Sequence, residues 1–145
     1  MIAVANRQRK VRIDLPWLRR FAPLALEKCV PHCADGRHAL RALPEVEVTI
    51  VSDRTIAAVH RRFLAIPGPT DVITFEHGEI VIGAGTAVAQ AVAYGQPLEQ
   101  EIARYIVHGL LHLNGYDDRS AAQRTRMHRV QERVMKSCLG QMADA

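Results

Sequence analysis

Alternation of apolar and polar residues is clearest at Val46-Glu47-Val48-Thr49-Ile50-Val51, and a period of two there predicts a strand. Upstream, Ile2-Ala3-Val4 and Val11-Arg12-Ile13 predict an edge strand bent near Asn6. Pro16 opens a helix that runs to about Cys29 and offers Trp17, Phe21, Leu24 and Leu26 to a core. Arg37 to Leu43 is ambiguous between states. Ser52 and Asp53 cap a helix from Arg54 to about Leu64, on which Ile56, Val59 and Phe63 recur at helical spacing. After the loop Pro67-Gly68-Pro69, the runs Val72 to Phe75 and Ile80 to Ile82 predict a hairpin closed at His77-Gly78. An Ala-rich helix follows from about Thr86 to Tyr94. Pro97 is placed as the first residue of the next helix, with Glu99 and Glu101 in a first turn that favours acids. Ser120-Ala121-Ala122-Gln123 is a capping box. It starts a last helix to about Leu139, with Met127, Val130, Val134 and Cys138 on one face.

The order β-α-β-α-β-β-α-α-α implies one α+β domain over residues 1–145. A mixed sheet of about four strands is expected to pack on one side against about five helices. There is no internal repeat, and no linker long enough to divide the chain. A length of 145 residues suits one domain, and 48% hydrophobic residues support a folded core. Ile80 to Leu98 is uncharged, but its Gly, Gln, Pro and Ala content predicts a strand, a turn and a small-residue helix, not a membrane span. No N-terminal signal pattern is visible, because Arg7, Arg9, Lys10 and Arg12 interrupt the opening. Three cysteines, an odd number, suit reduced thiols and a cytoplasmic setting. Cys29 and Cys33, with His32 and His38, lack the spacing of a zinc knuckle and are read as helix-end residues. A formal net charge of +4 mildly favours an anionic partner.

The chemistry concentrates between Tyr105 and Asp118. No charged side chain interrupts Tyr105 to Leu113, so this helix is expected to be buried. Within it His108 and His112 stand at i, i+4, on one face, where both imidazoles can reach one point. Asn114-Gly115 then stops the helix and permits a reversal that brings an acid back, giving H-x3-H-x2-G-x2-D. Two imidazoles and a carboxylate with a fourth position open make a catalytic metal site, not a closed structural one. His108, His112 and Asp118 are therefore the expected ligands, for one Zn2+ per chain or another divalent ion. Asp117 is the competing third ligand. The pattern is like the zinc protease motif H-E-x-x-H-x-x-G-x-x-H. That chemistry needs a Glu after the first His as general base, and here the position is Gly109.

The run His108-Gly109-Leu110-Leu111-His112-Leu113-Asn114-Gly115-Tyr116-Asp117 resembles the signature H-G-x-L-H-L-x-G-Y-D-H of the bacterial YbeY family. Pro69-Thr70-Asp71-Val72-Ile73-Thr74-Phe75 and Gly78-Glu79-Ile80-Val81-Ile82 resemble its P-T-D-V-L-S-F and G-D-I-x-I segments. The resemblance runs in order from about Val46 to about Leu139. It implies a metal-dependent endoribonuclease of single-stranded ribosomal RNA, active in 16S rRNA 3′-end maturation and ribosome quality control. It also implies the small ribosomal subunit as partner, and a metal cleft between the histidine helix and the sheet. Neither DNA nor a membrane is expected as a partner, and the oligomeric state is left open.

Two positions depart from the family. Its third ligand is a His where this chain has Asp118, so weaker metal binding or a higher pH optimum is expected. Its Arg, five residues before the Pro of P-T-D-V, is Leu64 here. Arg61 and Arg62 are the candidate catalytic cations in its place, with Arg104 a further candidate phosphate contact. Two other readings stay open: an atypical zinc metalloprotease lacking the Glu base, and a catalytically weakened ribosome-associated RNA-binding protein.

Overall fold

A computed structural model describes residues 1–144. Its elements are β1 (Ile2–Asn6), α1 (Leu15–Cys29), α2 (Ala39–Ala42), β2 (Val46–Val51), α3 (Asp53–Leu64), β3 (Val72–Phe75), β4 (Glu79–Gly83), α4 (Ala84–Tyr94), α5 (Leu98–Leu113) and α6 (Ala121–Ala143). The strands form one mixed sheet in the order β1-β2-β4-β3. β1, β2 and β4 run parallel, with Val48 opposite Ile80 and Ile50 opposite Ile82. β3 returns antiparallel on β4 through the expected hairpin. The α+β class, the single domain and the four strands are as the periodicity predicts; Ala145 lies outside the described residues.

Alternation sorts the sheet into two faces. Val46, Val48, Ile50, Ile80 and Ile82 point into the large core, where α1, α5 and the inner face of α6 meet. Val51, Val81 and Ile73 point the other way and bury Ile56 of α3 completely. Helices therefore cover both faces, not one, because α3 carries its own apolar stripe and must bury it. Only Ile56 of that stripe is fully buried, and Phe63 is 58% exposed at its far end. On α1, Leu18, Ala22 and Ala25 join Phe21 in the core, while Trp17 stacks on Phe21 at 5.5 Å between ring centroids.

The ends of elements follow local chemistry. Asp14 caps α1 by accepting from the Trp17 amide at 3.1 Å, and Ser52 caps α3 by accepting from Thr55 at 3.2 Å. The capping box of α6 is complete in both directions between Ser120 and Gln123. Four expectations need correction. Val11 to Ile13 is not strand. The Gln8 side chain donates to the Val11 carbonyl and accepts from its amide, closing a turn where pairing would have continued. The sixth helix is α2, a single turn in the ambiguous stretch. Pro97 caps α5 instead of beginning it. α6 runs on to Ala143, past Leu139, since Met142 still packs on the core.

α5 is the axis of the domain. Ten of its sixteen residues are buried, Ile102, Ile106, Leu110 and Leu111 fully. Each such aliphatic side chain contributes about 1.5–3 kcal/mol by leaving water. The helix lies closest to the sheet at Gly109, where an added Cβ would sit 2.7 Å from Cδ1 of Ile80, itself fully buried. Gly109→Ala is therefore expected to destabilise the fold by up to about 2 kcal/mol, since overpacking of about 1–3 kcal/mol offsets or exceeds the helix-propensity gain of about 1. Equilibrium urea unfolding checks this; a raised midpoint would show that the contact yields.

Candidate metal centre

The buried helix α5 ends beside a cleft of about 730 Å³ bounded by the end of α3, the edge strand β3 and the turn after α5. His108 and His112 face this cleft from successive turns of α5, each partly exposed within the otherwise apolar run Tyr105 to Leu113. The chain then reverses at Gly115, whose φ of +97° suits glycine and whose missing side chain leaves room for Asp35. Asn114, fully buried, holds this reversal: its amide donates to the carbonyls of Cys29, Val30 and His32 and accepts from the Leu40 amide. The reversal returns Asp118 to the histidines.

The three groups predicted as ligands come together. His108 Nε2 and His112 Nε2 are 3.1 Å apart, and Asp118 Oδ2 lies 3.5 and 3.4 Å from them. Among the described residues no other cluster of His, Cys, Asp or Glu could hold a metal ion. Asp117 points elsewhere: it accepts from the Asp118 amide and pairs with Arg119 at 3.1 Å, so it fixes the turn and leaves the centre to its neighbour.

Hydrogen bonds outside the triangle set the state of both imidazoles. His112 Nδ1 donates to the Tyr116 carbonyl at 3.0 Å. His108 Nδ1 donates to Gln131 Oε1 at 3.0 Å, and Gln131 is oriented because its amide donates to Glu132. Glu132 in turn receives a bidentate contact from Arg104 at 3.1–3.2 Å. With both Nδ1 atoms protonated, both Nε2 atoms present lone pairs, and the carboxylate adds a third acceptor. Three acceptors facing one point without a donor require a cation. A proton is a poor one, because burial and the neighbouring His112 hold His108 below its ordinary pKa of 6.5, against the opposing pull of Gln131, Asp118 and Asp71. A tetrahedral ion with bonds of about 2.0–2.1 Å keeps its ligand atoms about 3.3–3.4 Å apart, so the triangle fits a zinc-like ion with a fourth position open to the cleft.

Other candidates fall out differently. Leu64 lines the cleft at the rim, whereas Arg61 and Arg62 are exposed on the last turn of α3 and not on the lining, with Arg62 over the Phe63 ring. Arg104 is not available to a phosphate, being committed to Glu132. Thr70 and Asp71 line the cleft as a turn, with Asp71 accepting from the Val72 amide at 2.7 Å. Cys33 binds within its own loop, and burial pushes the Cys29 thiol far above its usual range, so neither helps to build a second centre. Sequence reasoning missed Gln131, Glu132 and the Tyr116 carbonyl. Gln131 did leave a signal: it is a polar residue one turn from Met127 and beside Val134, on the core-facing side of α6.

Known proteins resemble this chain over most of its length. The family model described as Endoribonuclease YbeY matches residues 3–139. Relatives named Endoribonuclease YbeY include one from Pelotomaculum thermopropionicum, 31% identical over 92% of this chain and 94% of its own length. Another, from Aquifex aeolicus, is 32% identical over 95% and 91%. A third, from Desulfitobacterium hafniense, is 36% identical over 63% and 69%. A solution structure from Thermotoga maritima has the same fold, with a TM-score of 0.68 at 23% identity, covering 99% of this chain and 93% of that one.

Two predictions follow from the hydrogen bonds and burial of the histidines. Gln131→Leu removes the acceptor that fixes the His108 tautomer, and it is expected to weaken Zn2+ affinity about 10–100-fold with little change in the folded spectrum. Competition titration against a chromogenic chelator reads this, and an unchanged affinity would remove Gln131 from the centre. The second concerns the metal-free protein. The unfolded chain takes up the His108 proton as pH falls through 6.5, and the folded protein takes it up only lower, so folded stability falls as pH drops below 6.5. The urea midpoint is expected to decline between about pH 7.5 and about pH 5.5, and to decline less in His108→Asn. An equal or steeper decline in the variant would place the titration elsewhere.

Proposed function

Because the chain belongs to the YbeY endoribonuclease family, a family of RNA hydrolases, we propose that it cleaves single-stranded ribosomal RNA in a metal-dependent reaction. Its place is 16S rRNA 3′-end maturation and ribosome quality control, in the cytoplasm, on the small ribosomal subunit. No helix among the described residues is long and apolar enough to cross a membrane. The observation that carries the reading is the acceptor triangle of His108, His112 and Asp118 at the head of an open cleft. These three residues would hold one Zn2+ or similar divalent ion, which would supply Lewis-acid polarisation of the scissile phosphate. Gln131 and the Tyr116 carbonyl keep both imidazoles in the ligating tautomer. Arg61 or Arg62, exposed on the last turn of α3 outside the cleft lining, would have to reach inward to bring positive charge to the phosphate.

A protease reading is weakened by Gly109. The base that protease chemistry needs would stand where Ile80 leaves no space for even a Cβ. A specific observation favours a second reading, an RNA-binding protein with little catalysis. The cleft position where the family resemblance expects Arg is Leu64, which is 50% exposed and uncharged.

Elemental analysis of protein purified without chelator, with RNA cleavage assays on the wild type and His112→Ala, tests the proposal. About one metal per chain, lost together with cleavage in His112→Ala, is the expected result. Full metal content with RNA affinity and no cleavage would establish the second reading. No metal, even after Zn2+ is resupplied, would overturn both the site and the mechanism.

A further inference from the structure

The charge of this protein is not spread over its surface. Five of its 19 Lys and Arg residues lie on α6 against one of its 15 acids, Glu132, so α6 holds the whole formal excess of +4 and the two signs balance elsewhere. Even Glu132 does not offset its neighbours on α6, since Arg104 of α5 occupies both its oxygens. Among the described residues Arg124, Arg126, Arg129, Arg133 and Lys136 are exposed, and none forms an ion pair with a carboxylate. An unpaired cation costs little in water, but a row of them repels itself, so a row this uniform calls for an anion.

Four of the five form one line. Arg126, Arg129, Arg133 and Lys136 recur at i, i+3, i+7 and i+10, a single helical face. It is opposite the face of Met127, Val134 and Cys138, which is buried in the core. The line is about 15 Å long at the rise of an α-helix. It starts at the metal cleft: the Arg126 guanidinium lies over the Tyr116 ring at 5.2 Å, and Tyr116 lines the cleft and holds His112 through its carbonyl. Arg124 donates to the carbonyls of Asp118 and Arg119 and ties the start of α6 to the ligand turn.

We propose that the outer face of α6 is the docking track for the phosphate backbone of the RNA strand whose scissile bond lies in the cleft. The inference rests on the RNA-cleaving reading above. A row of exposed cations, none of them paired with a carboxylate, suits successive phosphates and reads no bases, so it positions the strand without selecting its sequence.

The test is the triple variant Arg129→Gln/Arg133→Gln/Lys136→Gln, which spares Arg126 because of its contact with Tyr116. Binding of a single-stranded RNA long enough to lie along α6 is measured against salt concentration. A fragment of roughly four nucleotides, enough to fill the cleft alone, is measured in parallel. The variant is expected to bind the long RNA at least about tenfold more weakly at low salt, with a slope of log K against log salt smaller by about 2, at about 0.7 per lost contact. KM for the long substrate rises, kcat and metal content stay unchanged, and the short fragment binds as before. Arg129→Lys/Arg133→Lys, which keeps the charge, retains wild-type affinity. Cleavage by both proteins with equal affinity and slope would overturn the track and leave the enzyme reading standing. Equal losses for long and short RNA would also overturn it, by placing the effect in the cleft. Absence of any RNA binding by the wild type would overturn both readings together.

Discussion

The structure turns on the side chain of Asn114. It is wholly inside the protein, and its amide reaches the carbonyls that end α1 while its oxygen takes the amide that begins α2. Each of those backbone groups would cost about 1–3 kcal/mol if buried without a partner. One residue therefore settles where three helices end relative to each other. It also sets the direction in which the chain leaves α5. The Ala34 amide donates to the Asn114 carbonyl, so the loop after α1 and the turn after α5 are locked from both sides. Asp118 stands four residues beyond this lock. A carboxylate on a free loop would return to the histidines only at an entropic cost. Here the return is enforced by a core hydrogen-bond cluster that has nothing else to do with metal.

The same economy governs the histidines. The second half of α5 is apolar because it runs through the core, and two imidazoles there need partners. The fold provides acceptors to their outer nitrogens, from Gln131 and the Tyr116 carbonyl, and leaves their inner nitrogens bare. Burial then works against protonation of His108. Desolvation, which would be a defect at a surface histidine, here keeps the ligand atom free. The acidic third residue complements this, because a carboxylate contributes negative charge without needing any particular tautomer.

Much of this was legible in the sequence, and the residues show why. β2 was read with its exact limits because Val46 to Val51 alternates over a full strand, and the capping box announced α6 because its bonds are local. The clustering of His108, His112 and Asp118 was legible because helical spacing and a Gly turn are both short-range rules. What escaped depends on contacts far apart in the chain. Val11 to Ile13 has a strand's composition, but Gln8 diverts its backbone bonds. Arg104 has a phosphate contact's chemistry, yet its partner is 28 residues away on α6. Gln131 orients a histidine 23 residues earlier, and only the packing of α5 on α6 brings them together. Periodicity identifies the face a residue occupies and is silent on what faces it.

α6 makes that point in both directions. Its inner face supplies Gln131 to His108 and Met127, Val134 and Cys138 to the core, while its outer face presents a line of cations. A single rigid helix thus joins the atoms that would hold the ion to the charges that would hold a strand. No hinge lies between them within α6, which is continuous from Ala121 to Ala143. The start of that helix is fixed to the ligand turn by the Arg124 guanidinium and by the Arg126 contact with Tyr116. Binding energy gained along the outer face would then reach the cleft as position, which is the form in which distant contacts can lower a reaction barrier. The histidine pair would give this chain its chemistry; the placement of a long basic helix against that pair is what would give the chemistry a polymer to act on.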